Sequence, residues 1–190
     1  MSNYAADYFQ ALESLVGRRE DRRRPVPEAV DDGLPPIYAL FFDDWPVQGV
    51  LSAFTLGAGL GAHEEDLDAH VELVLSLRTA DERWGLALAF LTEWCRRHIQ
   101  IVPGSTMNMG EPLSLESAMS ALVVTRPHQW PEPPRLRVGS RFVTVLEAHP
   151  LYPSELPIAR ARACNCIERH VTGHRYDVGR PELGAHRHGE

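Results

Sequence analysis

The stretch VELVLSLRTADERWGLALAFLTEW, residues 71–94, contains the two most regularly patterned segments of the chain. Its first part, with His70 before it, alternates in the way of a β-strand that has one buried face. The residues expected on the buried face are Val71, Leu73, Leu75 and Leu77. Those expected on the opposite face are Glu72, Ser76 and Arg78. The first part therefore predicts a strand with one apolar face.

The second part of this stretch predicts a helix from about Asp81 to His98. Thr79, with Glu82 three residues later, has the spacing of a capping box, in which both side chains bind backbone N–H groups. The apolar stripe consists of Trp84, Leu88, Leu91 and Cys95, broadened by Leu86, Phe90 and Trp94. The charged residues expected on the other side are Glu82, Glu93, Arg96 and Arg97. Such a wide apolar face indicates a helix that packs on a sheet and is partly covered by something else.

Further elements lie on both sides of this core. Residues 3–17 predict a first helix that ends at Gly17, and residues 18–36 are charged, rich in proline and expected to form a linker. Apolar runs predict strands at 37–42, 50–56, 118–125 and 141–150, and residues 151–170 predict a last helix. Residues 101–117 and 130–140 are expected to be loops. This order predicts one layered α/β or α+β domain.

Composition excludes several classes of protein. The chain has 190 residues, 44% of them hydrophobic, and no apolar run reaches the roughly 20 residues that span a membrane. Its first ten residues lack the basic start and apolar stretch of a secretory signal. Cys95, Cys164 and Cys166 do not form a disulfide framework. These features favour a cytoplasmic protein with reduced thiols.

The charge of the chain argues against nucleic-acid binding. The formal net charge is −7, whereas sequence-independent binding to nucleic acid needs an excess of cations. All 19 basic side chains are arginine, which suggests a GC-rich coding sequence and a bacterial source. An acidic chain suits a basic protein partner.

Asp43 and Asp44, directly after the apolar run 37–42, could hold a metal or perform acid/base chemistry. Neighbouring residues of a strand point to opposite faces, so the two carboxylates cannot act as one dyad there. In a turn, they would instead bind backbone donors and end the strand. We expect this structural role, with Trp45-Pro46 fixing the exit of the chain.

Three other motifs could carry chemistry. Residues 57–63, GAGLGAH, depart from the dinucleotide fingerprint and precede an acidic segment that would repel phosphate, so a flexible hairpin loop is expected. Cys164, Cys166, His170 and His174 could bind zinc, but Gly173 is expected to end the helix before His174, and the spacing is not that of a zinc finger. No serine lies in a G-x-S-x-G motif, and Cys95 is expected to be buried and inert. We therefore expect no catalytic residue, metal or cofactor.

Taken together, the motifs resemble the suppressor-of-fused domain. In order and spacing, the matching segments are IYALFFDDWPVQGVLSAFTLG (37–57), VELVLSLRTADERWGLALAFLTEW (71–94), PGSTMNMGEPL (103–113), SALVVTRP (120–127) and LYPSEL (151–156). The most specific are ELVLS before a D-x-x-W helix and LYPSEL. The resemblance implies a mixed β-sheet flanked by helices. It divides the chain into an N-terminal helix with linker (1–36), the domain (37–170) and a flexible tail (171–190).

The resemblance also implies a function. The family is known for protein binding rather than catalysis, and stand-alone bacterial members are predicted immunity proteins of polymorphic toxin systems. We therefore expect a non-enzymatic domain that binds and neutralises a toxin, with no nucleic-acid or membrane partner. The acidic charge of the chain would suit a basic toxin. One alternative is an intracellular scaffold without a toxin partner, and another is a small metal-binding enzyme that uses Cys166 and His170. The family also has animal members, but their peptide-contacting segments differ from this sequence, so no binding residue is carried over from them.

The partner is expected to bind at the loop HEEDLDAH, residues 63–70. Its four carboxylates are Glu64, Glu65, Asp66 and Asp68. Such a cluster repels itself, which an exposed loop tolerates even without a function. As a functional site, it would attract a basic partner and act mainly on the association rate.

Overall fold

The structure, a computed structural model, describes residues 4–26, 34–60, 70–96, 98–161, 169–171 and 173–183. Within these ranges, the helices are α1 (Tyr4–Val16), α2 (Arg83–Cys95) and α3 (Leu156–Ala161), with short 3-10 turns at Ala58–Leu60 and Pro153–Glu155. The strands are β1 (Arg22–Pro25), β2 (Tyr38–Phe42), β3 (Leu51–Leu56), β4 (His70–Leu77), β5 (Thr106–Asn108), β6 (Ala121–Thr125), β7 (Arg135–Val138) and β8 (Arg141–Leu151). No helix in these ranges combines the length and apolar character that crossing a bilayer requires.

All eight of these strands belong to one sheet, and the sheet is mixed, as the resemblance implies. The strand order is β1-β2-β3-β4-β8-β6-β5, and β7 also pairs with β8. β4 and β8 are parallel, with His70 opposite Val143, and the other pairs are antiparallel. β8 pairs with β4 along one edge, and its other edge pairs first with β7 and then with β6. It therefore joins the N-terminal strands to the C-terminal strands.

Helices cover the sheet on both faces. Trp84, Leu88 and Leu91 of α2 pack on one face, in a cluster that includes Leu73 and Leu146. On the other face, α1 packs on a cluster formed by β2, β3, β4, β7 and β8, while α3 packs on β6 and the end of β8. This arrangement is the flanked sheet that the resemblance implies.

The cover on both faces corrects the prediction for β4. The alternation itself is right, because Leu73, Leu75 and Leu77 all face α2. The opposite face is not exposed, however: Glu72 and Ser76 are buried there, on the side that α1 covers. A polar residue in an alternating pattern is expected on the solvent side, and here it lies under a helix from a distant part of the chain.

The predicted capping box of α2 is wrong, and the helix is shorter than predicted. The Thr79 hydroxyl accepts the Asp81 N–H at 2.9 Å, and the Asp81 carboxylate accepts the Arg83 N–H at 3.0 Å. The carboxylate of Glu82 faces β1 instead, where it accepts a bond from Arg22 Nε at 2.6 Å. The Glu82 carboxylate, which would have completed the capping box, is therefore bound by Arg22 of β1.

Three short strands occupy segments that were expected to be linker or loop. They are β1, β5 and β7. β1, with the sequence RRRP, is largely exposed and pairs with β2 at the edge of the sheet. Charged residues and proline are common on edge strands because they discourage pairing with other chains, and the same residues conceal the strand in the sequence.

Part of the expected tail packs on the domain. The hydroxyl of Tyr152 donates to the carbonyl of Arg180 at 2.9 Å, and the Arg78 N–H donates to the carbonyl of Tyr176 at 2.6 Å. Arg180 itself is buried. The division of the chain at residues 36 and 170 remains a prediction, but residues 176–180 are in contact with the sheet and its loops.

Candidate functional site

The acidic loop falls mostly outside the described residues. Glu64, Glu65, Asp66 and Asp68 all lie within 61–69, so their role remains a prediction. The structure does describe both ends of this segment, at Leu60 and His70. The ring of His70 lies 2.5 Å, measured from Nδ1, from the carbonyl oxygen of Gly59. This contact joins the two ends, so the acidic segment begins and ends at a closed base.

A buried carboxylate organises that base. Glu72 Oε1 accepts the N–H groups of Gly57 at 2.8 Å and Gly59 at 3.2 Å, while Oε2 accepts the N–H of Ala58 at 3.3 Å and the hydroxyl of Thr55 at 2.6 Å. The glycine-rich segment therefore does bind an anion, as such loops can, but the anion is a side chain of the same protein. The predicted flexible hairpin loop is, at residues 57–60, a 3-10 turn held by Glu72.

The N-terminal helix is tied to the same carboxylate. The hydroxyl of Tyr4 donates to Glu72 Oε1 at 3.1 Å. Burial raises the pKa of the Tyr4 hydroxyl, and the nearby carboxylate raises it further. Burial also raises the pKa of Glu72, although the bonds from Thr55 and the backbone act in the opposite direction. The base of the acidic segment is thus a single hydrogen-bonded unit that includes α1.

The end of α2 is fixed against this base. Arg96 donates to the carbonyl of Gly57 at 3.0 Å and to that of Pro35 at 2.9 Å, and it forms an ion pair with Glu93 at 2.6 Å. Glu93 and Arg96 are both buried, which corrects their predicted place on the charged, solvent-facing side. Their pairing and the two carbonyls offset the cost of burying charge. Arg97 lies outside the described residues.

Two aromatic side chains of α2 are exposed instead. Phe90 is 46% exposed and Trp94 is 54% exposed, and their spacing of four residues places them on one side of the helix. The ring of His98 stacks on that of Trp94, with 4.7 Å between centroids. Both aromatics were predicted to broaden the buried stripe, and that prediction is wrong because the sheet covers only the Trp84–Leu88–Leu91 side. Exposed apolar groups that lie together often mark interaction sites.

Asp43 and Asp44 follow β2 and end it, as predicted, but within the described residues only the Asp44 carboxylate binds a backbone donor. Asp43 accepts two bonds from Arg22, at 2.5 and 2.6 Å, and these hydrogen bonds hold its pKa below the usual range. Asp44 has a φ of 52° and accepts the Gly49 N–H at 2.7 Å, which closes the turn. The Trp45-Pro46 peptide bond is cis. The two carboxylates serve different partners and do not form a dyad.

The metal candidates from the sequence are only partly described. Cys164 and Cys166 lie outside the described residues. His170 Nε2 lies 3.0 Å from the carbonyl of Pro181, and the rings of His170 and His174 are 5.6 Å apart. Cys95 is buried, and burial raises the pKa of its thiol to about 11. A thiol with so high a pKa is unreactive at neutral pH, as predicted. Metal binding by the other four residues remains untested.

Comparison with known proteins agrees with the sheet and its helices. The family model described as suppressor of fused protein (SUFU) matches residues 33–181. None of the curated proteins compared with the chain matches it. The solved structures described next, all less than 25% identical in sequence, are similar in fold.

One similar structure is a suppressor of fused homolog from Neisseria gonorrhoeae FA 1090, with a TM-score of 0.71 and 14% identity over 95% of this chain and 96% of that one. A second is the Sufu–Fu complex, with a TM-score of 0.70 and 12% identity over 95% of this chain and 91% of that one. A third is Drosophila Suppressor of Fused, with a TM-score of 0.71 and 11% identity; the match covers 95% of this chain but 51% of the Drosophila chain.

Proposed function

We propose that this chain, which belongs to the suppressor of fused family, is a non-enzymatic domain that binds another protein. The observation that carries the proposal is the exposure of Phe90 and Trp94 on a helix whose other side is buried. Large aromatic residues supply much of the binding energy in protein interfaces. A similar fold occurs in the Sufu–Fu complex, which supports binding of a protein rather than of a small molecule.

We further propose that the partner is a toxin and that the chain is a bacterial, cytoplasmic immunity-type protein. The support is its resemblance to stand-alone bacterial members and its net charge of −7, which suits a basic partner. The scaffold without a toxin partner remains the alternative, and the metal-dependent enzyme that uses Cys166 and His170 is the third.

The proposed interface has two parts with different roles. The acidic residues Glu64, Glu65, Asp66 and Asp68 attract the partner over a distance, and Phe90 and Trp94 hold it by burying apolar surface. Arg96 bonds to Gly57 at the base of the acidic segment, so the helix end that carries Trp94 is fixed to that base. Charges at the rim act mainly on the association rate, whereas buried aromatic groups act mainly on dissociation.

The test begins with the neighbouring genes: a toxin domain encoded there is expected, and it is used as the partner in a kinetic binding assay. Changing the four acidic residues to Asn or Gln should slow association and flatten its dependence on salt, while Trp94→Ala should speed dissociation. A smaller change, the double variant Glu64→Gln, Glu65→Gln, has a matched control. The control is the double variant Glu111→Gln, Glu132→Gln, which removes two exposed carboxylates elsewhere on the chain. Equal association rates for these two double variants at low salt would rule out the acidic segment as the attracting surface.

A second measurement separates the toxin proposal from the scaffold alternative. Co-expression with the toxin domain should protect the host cell, and the Trp94→Ala variant should protect less. If the two proteins neither bind nor protect, the toxin proposal is wrong.

A further inference from the structure

Three side chains with metal-binding groups converge between α1 and α3 on the same face of the sheet. They are His128, Glu147 and His149, and one ligand atom from each lies within 4.8 Å of the others. His128 Nδ1 is 3.5 Å from Glu147 Oε2, and His149 Nε2 is 3.8 Å from Glu147 Oε1. None of the three was a candidate from the sequence.

The fold explains why these residues meet. Glu147 and His149 are two apart on β8, so they point to the same face, between Val145 on the α1 side and Leu151 on the α3 side. β6 pairs with this part of β8, with Thr125 opposite Glu147, and His128 follows three residues later. The His128 N–H donates to Glu147 Oε2 at 2.9 Å, which fixes the loop after β6 against β8.

We propose that His128, Glu147 and His149 bind a divalent transition metal ion of the zinc class. Two imidazoles and a carboxylate are a common ligand set for zinc. In a tetrahedral site with bonds of about 2.0–2.1 Å, the ligand atoms lie roughly 3.3 Å apart. The 3.5 and 3.8 Å separations involve different oxygens of Glu147, and one ligand atom from each of the three residues lies within 4.8 Å of the others. Side-chain rotations that draw these three atoms together would complete the site.

The three side chains are buried enough to hold a metal ion, and one of them is open enough to solvent to let the ion enter. The side chains of Glu147 and His149 are 4% and 2% exposed, whereas that of His128 is 25% exposed. A metal ion can therefore enter on the His128 side, where a water molecule would complete the coordination. The bound ion would join the loop after β6 to β8.

A hydrogen-bonded cluster without metal is the competing explanation. His149 Nε2 lies 3.1 Å from the Thr125 hydroxyl, so this nitrogen already has a partner. A metal at Nε2 would replace that contact. Thr125→Val therefore separates the two explanations, since it removes a hydrogen bond from the cluster but no ligand from the metal.

The experiment is a titration with Zn²⁺ in which calorimetry measures binding and thermal unfolding measures the melting temperature. The full chain would carry Cys164→Ser, Cys166→Ser, His186→Gln and His188→Gln, because those side chains could bind zinc by themselves. One equivalent of Zn²⁺ should bind and raise the melting temperature. His128→Gln should weaken binding by about tenfold or more, while Thr125→Val should not weaken it. The control His98→Gln changes an exposed histidine outside the cluster.

Several results would overturn the proposal. In the chain with the four background substitutions, the absence of Zn²⁺ binding would do so. Equal Zn²⁺ affinity with and without His128→Gln would also do so. The third such result is a loss of affinity in His98→Gln as large as that in His128→Gln. His128 is partly exposed, so its variant is expected to fold, and a circular dichroism melt without metal checks this. Should His128→Gln not fold, Glu147→Gln gives the same comparison.

Discussion

Arg180 and Glu155 form a buried ion pair with two parallel hydrogen bonds, Nη1 to Oε1 at 2.8 Å and Nη2 to Oε2 at 2.5 Å. Their side chains are 3% and 0% exposed. Arg180 also donates to the carbonyl of Pro150 at 2.9 Å, and Glu155 accepts the N–H of Leu183 at 2.8 Å. The LYPSEL motif thus has a structural purpose, since its glutamate holds the C-terminal segment on the domain.

Loss of the arginine should be costly. Arg180→Met leaves the Glu155 carboxylate buried without its partner, and breaking one side of a buried pair costs about 3–5 kcal/mol. Arg160→Met, which removes an exposed arginine of α3, is the matched control and should change stability by less than about 0.5 kcal/mol. Urea unfolding measures the free energy of unfolding of both variants. A loss in Arg180→Met as small as that in Arg160→Met would contradict the prediction.

The same pair should make stability depend on pH. Burial by itself would raise the pKa of Glu155, but the hydrogen bonds from Arg180 and from the Leu183 N–H outweigh it, so the pKa lies below its ordinary 4.5. A lowered carboxyl pKa contributes stability that is present above the unfolded value and is lost as pH falls through the folded value. The stability gap between wild type and Glu155→Gln should therefore be constant at neutral pH and shrink below about pH 4.5. Unfolding curves from pH 7 to 3 test this, and a gap that grows in acid would contradict it.

Substitution of the two tryptophans of α2 should lower stability to very different extents. Trp84 is 2% exposed in the core, so Trp84→Ala should cost about 3–5 kcal/mol. Trp94→Ala, the matched control on the exposed side, should cost less than about 0.5 kcal/mol. Asp43→Asn should also cost far less than Trp84→Ala, and so should Asp44→Asn, because an asparagine oxygen can still accept the Gly49 N–H that closes the turn. Thermal melts give the ranking, and the reverse order for the tryptophans would mean that α2 is wrongly oriented.

Glu72→Gln tests the base of the acidic segment. The substituted amide would place an NH₂ group among the N–H donors of Gly57, Ala58 and Gly59, and one oxygen cannot accept all of their bonds. An oxygen at the Oε1 position could still accept the Gly57 and Gly59 N–H groups, so at least the Ala58 N–H would lose its partner. An unsatisfied buried donor costs about 1–3 kcal/mol, and the variant should lose about that much stability. Glu111→Gln, at an exposed carboxylate, is the control. A Glu72→Gln protein as stable as wild type would show that the carboxylate does not hold this turn.

Gly85→Ala should destabilise the protein, although alanine is normally the better helix former by about 1 kcal/mol. A Cβ at Gly85 would lie 2.5 Å from Ala53 Cβ and 2.5 Å from Phe41 Cε1, so α2 would have to move away from the sheet. Overpacking of this kind costs about 1–3 kcal/mol. Gly173→Ala, where an added Cβ meets nothing within 4 Å, is the control. The midpoints of denaturant unfolding of both variants test the prediction. A Gly85→Ala protein more stable than wild type would disprove this close packing.

The pattern of apolar residues was sufficient to predict the main elements. Residues 38–42 of the apolar run 37–42 form a strand buried on both faces, as predicted. The Trp84–Leu88–Leu91 side of α2 packs on the sheet, also as predicted. These features depend on local periodicity, which the sequence shows directly. Asp43 and Asp44 could likewise be recognised as a strand end.

Contacts between distant segments could not be predicted from local patterns. Glu72 appeared exposed because nothing in β4 indicates that Tyr4, 68 positions away, covers it. Arg96 appeared to be a surface charge because its backbone partners, such as Gly57, lie 39 positions or more away, and Glu93 is buried as its ion-pair partner. The cluster of His128, Glu147 and His149 has one weak signal, a glutamate and a histidine two apart in a strand, but the pairing of β6 with β8 had to be known to add His128.

The parallel pairing of β4 with β8 has a consequence for how the chain folds during synthesis. Strands β1 to β4 follow one another and pair in order, so this half of the sheet can form as soon as it leaves the ribosome. The central partner of β4 lies about 70 residues further on, with Val143 opposite His70. Pairings between such distant segments are slow because a long loop must close first. Until that partner has been translated, the inner edge of β4 has unpaired backbone groups, and the nascent chain is most prone to aggregate in this interval.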